Sequence, residues 1–250
     1  MKDQTALAYV NLYAIFGAIP HLCAMDDAAH ALIADKRISL GFAVRGGPAA
    51  TLVFADGVCR MEEGADRAAI RLPFSSPAKF NGMIDGTVTP LPARGFLHLS
   101  FLTKTFTALT DILTRYLRAD AAALADPVFF EKSTTLMLHV IAAAVAELCN
   151  HDPISRTSAS YIVDGEVELS IADGPAVSLY AKDHLLRVGV PSGHPLSYMR
   201  FADIATARAL FDGALNAVVA VGTGAVRIGG MISMVDNVNR VLDRVAQYLA

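Results

Sequence analysis

Charge is scarce in this chain. Only 18% of its 250 residues are Asp, Glu, Lys or Arg, and the formal net charge is −3. No run of Lys and Arg is dense enough to mark a nucleic-acid surface or a standing attraction to anionic membranes, so nucleic acid is excluded and membrane contact is at most transient. Cysteine is scarcer still. Cys23, Cys59 and Cys149 are odd in number and follow no spacing framework, which excludes a disulfide-stapled scaffold, suits a reducing cytoplasm and reads as buried small hydrophobes.

The common catalytic motifs are also missing. There is no Gly-x-Ser-x-Gly elbow and no phosphate-cradling glycine loop with lysine. Val221-Gly222-Thr223-Gly224 begins like a dinucleotide fingerprint, but Arg227 stands where the third glycine belongs. The pattern there predicts strands on both sides, so a pyrophosphate would have no helix N-terminus to rest on. His21-Leu22-Cys23 and Cys149-Asn150-His151 lack the gap of zinc-ligand pairs and have no supplementary carboxylate. His151-Asp152 has no companion histidine cluster, and Glu62-Glu63 and Asp26-Asp27 fall at solvated turns. His139, set among Leu, Val and Ile, reads as a satisfied core group. These residues predict no catalytic site, no metal and no cofactor.

What the chain has in excess is apolar surface: 54% of its residues are hydrophobic, with mean hydropathy +0.43. Such composition fits large apolar interiors, a lipid-lined pocket or an extensive interface. Thr5 to Met25 carries no charged residue and is long enough to pass a crude test for a membrane span. However, Asn11, Pro20 and His21 interrupt it, Lys2-Asp3 is a poor cationic start, and no small residue precedes Cys23. Leu7, Val10, Ala14 and Ala18 recur at helical spacing, which predicts a packed helix of a soluble protein.

The chain also repeats itself. Phe80…Asp85-Gly86, then Gly95-Phe96-Leu97-His98-Leu99, then an amphipathic run to Tyr116 is one passage. Leu210-Phe211-Asp212-Gly213, then Gly224…Arg227-Ile228, then an amphipathic run to Tyr248 is the other. The two Asp-Gly pairs lie 127 residues apart (Asp85, Asp212), which predicts a duplication with domains at 1–125 and 126–250. Each half reads as a helix, a hairpin meander punctuated by Gly and Asp-Gly turns, a helix stopped by glycine, and a terminal amphipathic helix. Gly95 to Ser100 and Ala217 to Val221 read as short strands.

That order of elements resembles the sterol carrier protein 2 family of lipid-binding domains, most clearly at Phe80 to Leu113 and at Phe201 to Leu249. Gly224…Arg227-Ile228-Gly229-Gly230-Met231 is similar to the family's final strand and glycine turn. The resemblance implies an α+β fold of two such domains, each a mostly antiparallel five-stranded sheet covered by helices. It also implies an apolar tunnel between sheet and helices for a fatty acyl, acyl-CoA, phospholipid or sterol-like ligand, held without catalysis. Candidate wall residues are Phe80, Phe96, Phe101, Phe106 and Leu109 in the first half. In the second they are Leu210, Phe211, Ile228, Met231, Met234, Val238 and Leu242. Spacing alone reads the same residues as ordinary core. Arg94, Lys104 and Arg227 are placed to meet a head group, and read equally as surface charges. The chain ends Gln247-Tyr248-Leu249-Ala250, unlike the Ser-Lys-Leu address of peroxisomal members, and carries no appended enzyme region.

Two other readings stay open on the residues. One is a structural or interaction protein whose tunnels are filled by its own side chains, with the apolar excess in an interdomain or homo-oligomer interface. The other is an enzyme acting on a lipid-like substrate, which lacks an activated nucleophile. The wall residues differ between the halves, which predicts one competent pocket, in the second half.

Overall fold

The structure is a computed structural model that describes residues 2–249. The chain divides into two compact units, Met1–Leu124 and Ala125–Ala250. Both are α+β, as expected.

In the first unit, α1 (Gln4–Tyr9) and α2 (Ile19–Met25) are joined by a π-helical turn over Val10–Ile15 and a 3-10 turn over Phe16–Ala18. Then come α3 (Asp27–Ile33), β1 (Ile38–Val44), β2 (Ala49–Ala55), β3 (Val58–Glu63), β4 (Ile70–Phe74), α4 (Pro77–Ile84) and α5 (Thr107–Leu117). The sheet order is β3-β2-β1-β4, antiparallel except for the β1–β4 pair. In the second unit, α6 (Pro127–His151) is one unbroken helix of 25 residues. It is followed by α7 (Pro153–Ala159), β5 (Gly165–Ile171), β6 (Ala176–Lys182), β7 (Leu185–Gly189), β8 (Ser197–Phe201), α8 (Ile204–Phe211), α9 (Ala217–Gly222), β9 (Val226–Gly230) and α10 (Ile232–Leu249). Its five strands run β7-β6-β5-β8-β9, with only β5–β8 parallel.

The duplication can be followed residue by residue. One shift of 127 carries Ile38 to Gly165, Ala49 to Ala176, Val58 to Leu185 and Ile70 to Ser197. Val44 N–H donates to Pro48 O at 3.0 Å, and Ile171 N–H donates to Pro175 O at 3.0 Å. The β2–β3 hairpin turns through Asp56 and Gly57 and the β6–β7 hairpin through Asp183 and His184, all four with positive φ. Two successive left-handed residues make the tight turn whose twist matches the flanking strands. Gly86 and Gly213 stop α4 and α8 at φ 70° and 71°, where a residue without Cβ is favoured.

Past these glycines the units diverge. Gly95 and Gly230 both have positive φ, and a Cβ on either would lie 2.6 Å from Ala69 O or 2.1 Å from Leu196 O. They are equivalent stations against the start of β4 or β8, yet they lie 135 residues apart. The second unit therefore has eight additional residues before this point, and they build α9 and β9.

This corrects two expectations. Gly95 to Ser100 is not a strand: Phe96–His98 is a 3-10 turn, and the first sheet has four strands rather than five. The segment before it contains Pro90 and Pro92, which cannot donate to a ladder, and it meets β4 only at the bridge Arg71–Arg94. Ala217 to Val221 is a helix and not a strand. Asn216 caps α9 by accepting from Val218 N–H at 2.9 Å and Val219 N–H at 3.2 Å, and that cap overrides the β preference of three valines.

Gln4–Met25 and Pro127–His151 are each long and apolar enough to cross a membrane by length and composition, and most of the apolar window of each is buried in the structure. They occupy the same place in the two units. Asp26 and Asp152 end them and cap the next helix, accepting from Ala29 N–H at 2.8 Å and Ser155 N–H at 2.9 Å.

Candidate functional site

The interior of the first unit is aromatic. Phe16 and Phe42 pack on each other and each meets both Phe80 and Phe106, with ring centroids 5.1 Å apart for Phe16–Phe42, 5.5 Å for Phe16–Phe106 and 6.1 Å for Phe42–Phe80. Phe74 packs edge-on against Phe80 at 5.2 Å, and Phe54 against Phe101 at 5.3 Å. The expected wall residues Phe80, Phe101, Phe106 and Leu109 are all buried, and three of them belong to this aromatic packing. Phe96 lies on the surface, 61% exposed. Offset and edge-to-face rings at these distances are favourable contacts in themselves, so the space between sheet and helices is occupied by side chains.

The second unit carries other residues at the same stations. The shift of 127 places Leu169 at Phe42, Ala181 at Phe54 and Ala207 at Phe80. Counting back from the caps Asp26 and Asp152 places Ala142 at Phe16. All four are buried. Three phenyl rings are thus missing outright from the region under β5–β8, and one is replaced by leucine. Around this region Met234 and Val238 of α10 are buried, while Leu242 of α10, Leu210 and Phe211 at the end of α8, and Ile228 on β9 are half-buried. Met231 precedes α10 and is 40% exposed. The set of wall residues thus gains Ala142, Ala181 and Ala207, small residues whose meaning appears only when the two halves are laid on each other.

Polar groups in the second unit are tied to one another. Asp152 is 1% exposed. It accepts from Arg244 Nη2 at 3.0 Å, Tyr248 Oη at 2.8 Å and Ser155 Oγ at 2.8 Å. Burial works against its charge, but the hydrogen bonds from Arg244, Ser155 and Tyr248 outweigh it and hold the carboxyl below the usual range. The first unit has a lighter version: Tyr116 Oη donates to Asp26 Oδ2 at 2.7 Å. On the opposite sheet face, Glu166 accepts from Ser178 Oγ and Ser192 N–H, at 2.5 and 3.0 Å, and from Ser192 Oγ. Arg208, buried on α8, reaches Ser133 Oγ at 2.8 Å and Asp212 Oδ2 at 2.7 Å. Its counterpart Asn81 accepts from Asn11 Nδ2 at 3.1 Å and donates to Gln4 O at 2.9 Å. Each unit therefore pins the helix after its sheet to its N-terminal helix. The Asp152 carboxylate accepts four hydrogen bonds, which suits structure more than proton transfer. Burial pushes Glu147 up to about 8. Among the described residues no group of three His, Cys, Asp or Glu is arranged to hold a metal ion.

The first unit also has an open cleft of about 600 Å³ on the outer face of its sheet, with Arg45, Asp66, Arg71 and Ser75 in its wall. Gly41, Ala43 and Pro73 keep that face low. Their counterparts are Glu168, Ser170 and Arg200, and there Arg200 reaches Ser170 Oγ at 3.3 Å and Glu168 Oε1 at 3.4 Å.

No family profile and no curated protein matches the chain. Solved structures do match. Sterol carrier protein 2 domains are among them. The sterol carrier protein domain 2 of Helicoverpa armigera is 16% identical, with 46% of this chain and 89% of that one covered and a TM-score of 0.36. Sterol carrier protein 2 like 2 from Aedes aegypti is 16% identical, covering 43% and 91%, with a TM-score of 0.31. The inverting sec-alkylsulfatase Pisa1 from a Pseudomonas species is 11% identical, covering 57% of this chain and 28% of its own, with a TM-score of 0.29. Each sterol carrier match spans a little under half of this chain, the length of one unit. The likeness is one of fold.

Proposed function

We propose that this protein is a non-catalytic lipid carrier whose second unit holds a fatty acyl or sterol-like chain between β5–β8 and the helices α6, α8 and α10. The observation that carries this reading is the exchange of Phe16, Phe42, Phe54 and Phe80 for Ala142, Leu169, Ala181 and Ala207 at matching stations. One ring pair remains there, Phe201 edge-on to Phe211 at 5.6 Å, and an apolar region with fewer rings gains most from an apolar guest. Each methylene buried is worth about 0.8 kcal/mol, so a sixteen-carbon chain offers roughly 12 kcal/mol gross. Association and ordering cost about 4–15 kcal/mol, which leaves binding tight enough to carry and weak enough to release. Leu210, Phe211, Ile228 and Met231 line the mouth of such a site. The three unpaired thiols suit a reducing cytoplasm.

The first unit supports the second reading. Its rings already fill the corresponding space, so it serves as a packed partner domain with no cargo of its own.

Native mass spectrometry and lipid extraction of the purified protein test the proposal, together with uptake of a fluorescent fatty acid. The expected result is one lipid per chain, with uptake lost in Ala207→Phe while the circular dichroism spectrum is kept. Protein that emerges empty and takes up no acyl chain or sterol would overturn it. So would uptake that survives both Ala207→Phe and Ala181→Phe.

A further inference from the structure

Cys23 and Cys59, both buried, meet where the helical layer of the first unit crosses the edge of its sheet. β3 is bonded to β2 alone. Cys59 and Met61 share one face of β3, and Gly57 precedes them in the turn. A Cβ on Gly17 would lie 3.9 Å from Met61 Sδ, and a Cβ on Gly57 would lie 3.2 Å from the His30 ring. Cys23 falls between Gly17 and His30 on the helices, and Cys59 falls between Met61 and Gly57 on the strand. The packing of α2 on β3 therefore brings the two thiols together. The Cys59 thiol donates a hydrogen bond to the Cys23 sulfur, which holds the Cys23 thiol below its ordinary value against burial and the Asp26 carboxylate. The same bond, with burial, pushes Cys59 up.

The second unit makes the same junction differently. Counting from the caps Asp26 and Asp152 puts Cys149 at Cys23 and Asn150 at Ala24, and the shift of 127 puts Leu186 at Cys59. There the helix is fastened to the strand. Asn150 Nδ2 donates to Leu186 O at 2.8 Å, and Leu186 N–H donates to Asn150 Oδ1 at 2.9 Å. Ala24 has no amide for this, and the first unit has a second thiol where its counterpart has leucine. We infer that Cys23 and Cys59 are a redox pair whose disulfide fastens α2 to β3 under oxidation. Asn150 supplies the matching tie permanently in the other unit.

Cys23 is the attacking thiol and Cys59 the resolving one. With hydrogen peroxide as oxidant, the Cys23 sulfur attacks one oxygen and the O–O bond breaks. Cys23 becomes a sulfenic acid, and the other oxygen leaves as water. The Cys59 sulfur then displaces the hydroxyl, which leaves as a second water with the Cys59 proton. Two thiols and one peroxide thus give one disulfide and two waters, and a reducing dithiol reopens the bond by exchange. Both sulfurs are nearly closed to solvent, so the oxidant enters as the edge strand opens locally. Cys149, with leucine at the matching station, stays a thiol.

This holds whether or not the second unit carries a lipid. The reduced full chain is exposed to hydrogen peroxide, quenched, unfolded, alkylated with N-ethylmaleimide and weighed by mass spectrometry. Oxidised wild type should take one maleimide rather than three, and a cross-linked Cys23–Cys59 peptide should separate on adding dithiothreitol. Oxidation should also raise the urea midpoint of the first unit and slow hydrogen exchange in β3. Cys59→Leu installs the side chain of the matching station. It should keep the wild-type circular dichroism spectrum, take two maleimides after oxidation and show no midpoint shift. Cys59→Ala should behave in the same way if leucine disturbs the fold, and Cys149→Ala should form the bond as wild type does. Full alkylation after oxidation, a Cys23 sulfinic acid without a cross-link, or a bond that involves Cys149 would each overturn the inference. So would an oxidised protein no more stable than the reduced one.

Discussion

The two units share a backbone and differ in filling. From Ile38 to Gly86 and from Gly165 to Gly213 the chain repeats strand for strand and turn for turn. Yet the interior of one is built from packed phenylalanines, while its counterpart has alanine or leucine at those stations. The lesson concerns what holds a fold constant. Turn glycines, helix caps and strand registers constrain the backbone locally, so they survive duplication. Interior side chains are constrained only in their sum, so one copy can be filled by packed rings and the other by smaller side chains.

The largest effect should come from unfilling the closed unit. Phe80→Ala removes a fully buried ring that touches Phe16, Phe42 and Phe74 and should cost about 3–5 kcal/mol. Hydrogen exchange read by mass spectrometry, resolved to peptides of each unit, should place the loss in residues 2–124. If the first unit instead takes up an acyl chain at undiminished wild-type affinity before any substitution, the contrast between the units fails.

The next comparison sets the two caps against each other. Asp152→Asn leaves the Arg244 guanidinium, whose side chain is 16% exposed, without its charge partner, at a cost of about 3 kcal/mol. Asp26→Asn loses a charged acceptor for Tyr116 and Ala29 and should cost about 1 kcal/mol. The sign with pH follows from the direction of the shift. The Asp152 pKa is depressed in the folded protein, so its stabilisation is present above the unfolded value of about 3.9 and is lost as pH falls through the folded value. Acid titration in urea should therefore show the second unit losing this contribution, and Asp152→Asn should remove that part of the slope. Equal costs for the two substitutions would contradict the asymmetry.

Much of this was legible in the residues. Asp85-Gly86 and Asp212-Gly213 announced the repeat, because glycine after the last helical turn has few other uses. The strand pattern of β1–β8 followed from alternation and turn signals. What could not be read locally was decided at a distance. Gly95 is pinned by the backbone of Ala69 and Ile70, a contact that no window around Gly95 contains. The valines of α9 carry strand preference, and one capping asparagine decided against it. The expected walls are large apolar residues, whereas the informative stations are Ala142, Ala181 and Ala207, where the first unit has phenylalanine.

Glu147 gives a smaller, pH-dependent comparison. It occupies the station of His21 in the first unit, and burial raises its pKa to about 8. A raised folded value means that the carboxyl is folded in its protonated form. Stability from this group is present below the unfolded value of about 4.3 and lost as pH rises through 8. The second unit should weaken by a few kcal/mol at most across that window, while Glu147→Gln should flatten the slope. Denaturation midpoints at pH 5, 7 and 9 measure it. A slope unchanged by Glu147→Gln would show that another group carries it.

The smallest expected difference lies at the hairpin tips. The β2–β3 turn places Gly57 at φ 75°, and the β6–β7 turn places His184 at φ 63°. Histidine has a Cβ that crowds the backbone in the left-handed region, at a cost of about 1–2 kcal/mol relative to glycine. Glycine gives back part of that gain through the greater freedom of the unfolded chain. His184→Gly should therefore stabilise the second unit by roughly 0.5–1 kcal/mol, raising its denaturation midpoint without changing the dependence on urea. The reverse change, Gly57→His, should cost the first unit at least as much, because a Cβ there would meet the ring of His30 at 3.2 Å. Both turns are then doing the same geometric work with different residues. A His184→Gly variant that is less stable than wild type would mean that the imidazole makes a contact that outweighs its backbone strain, and that the two tips are not equivalent after all.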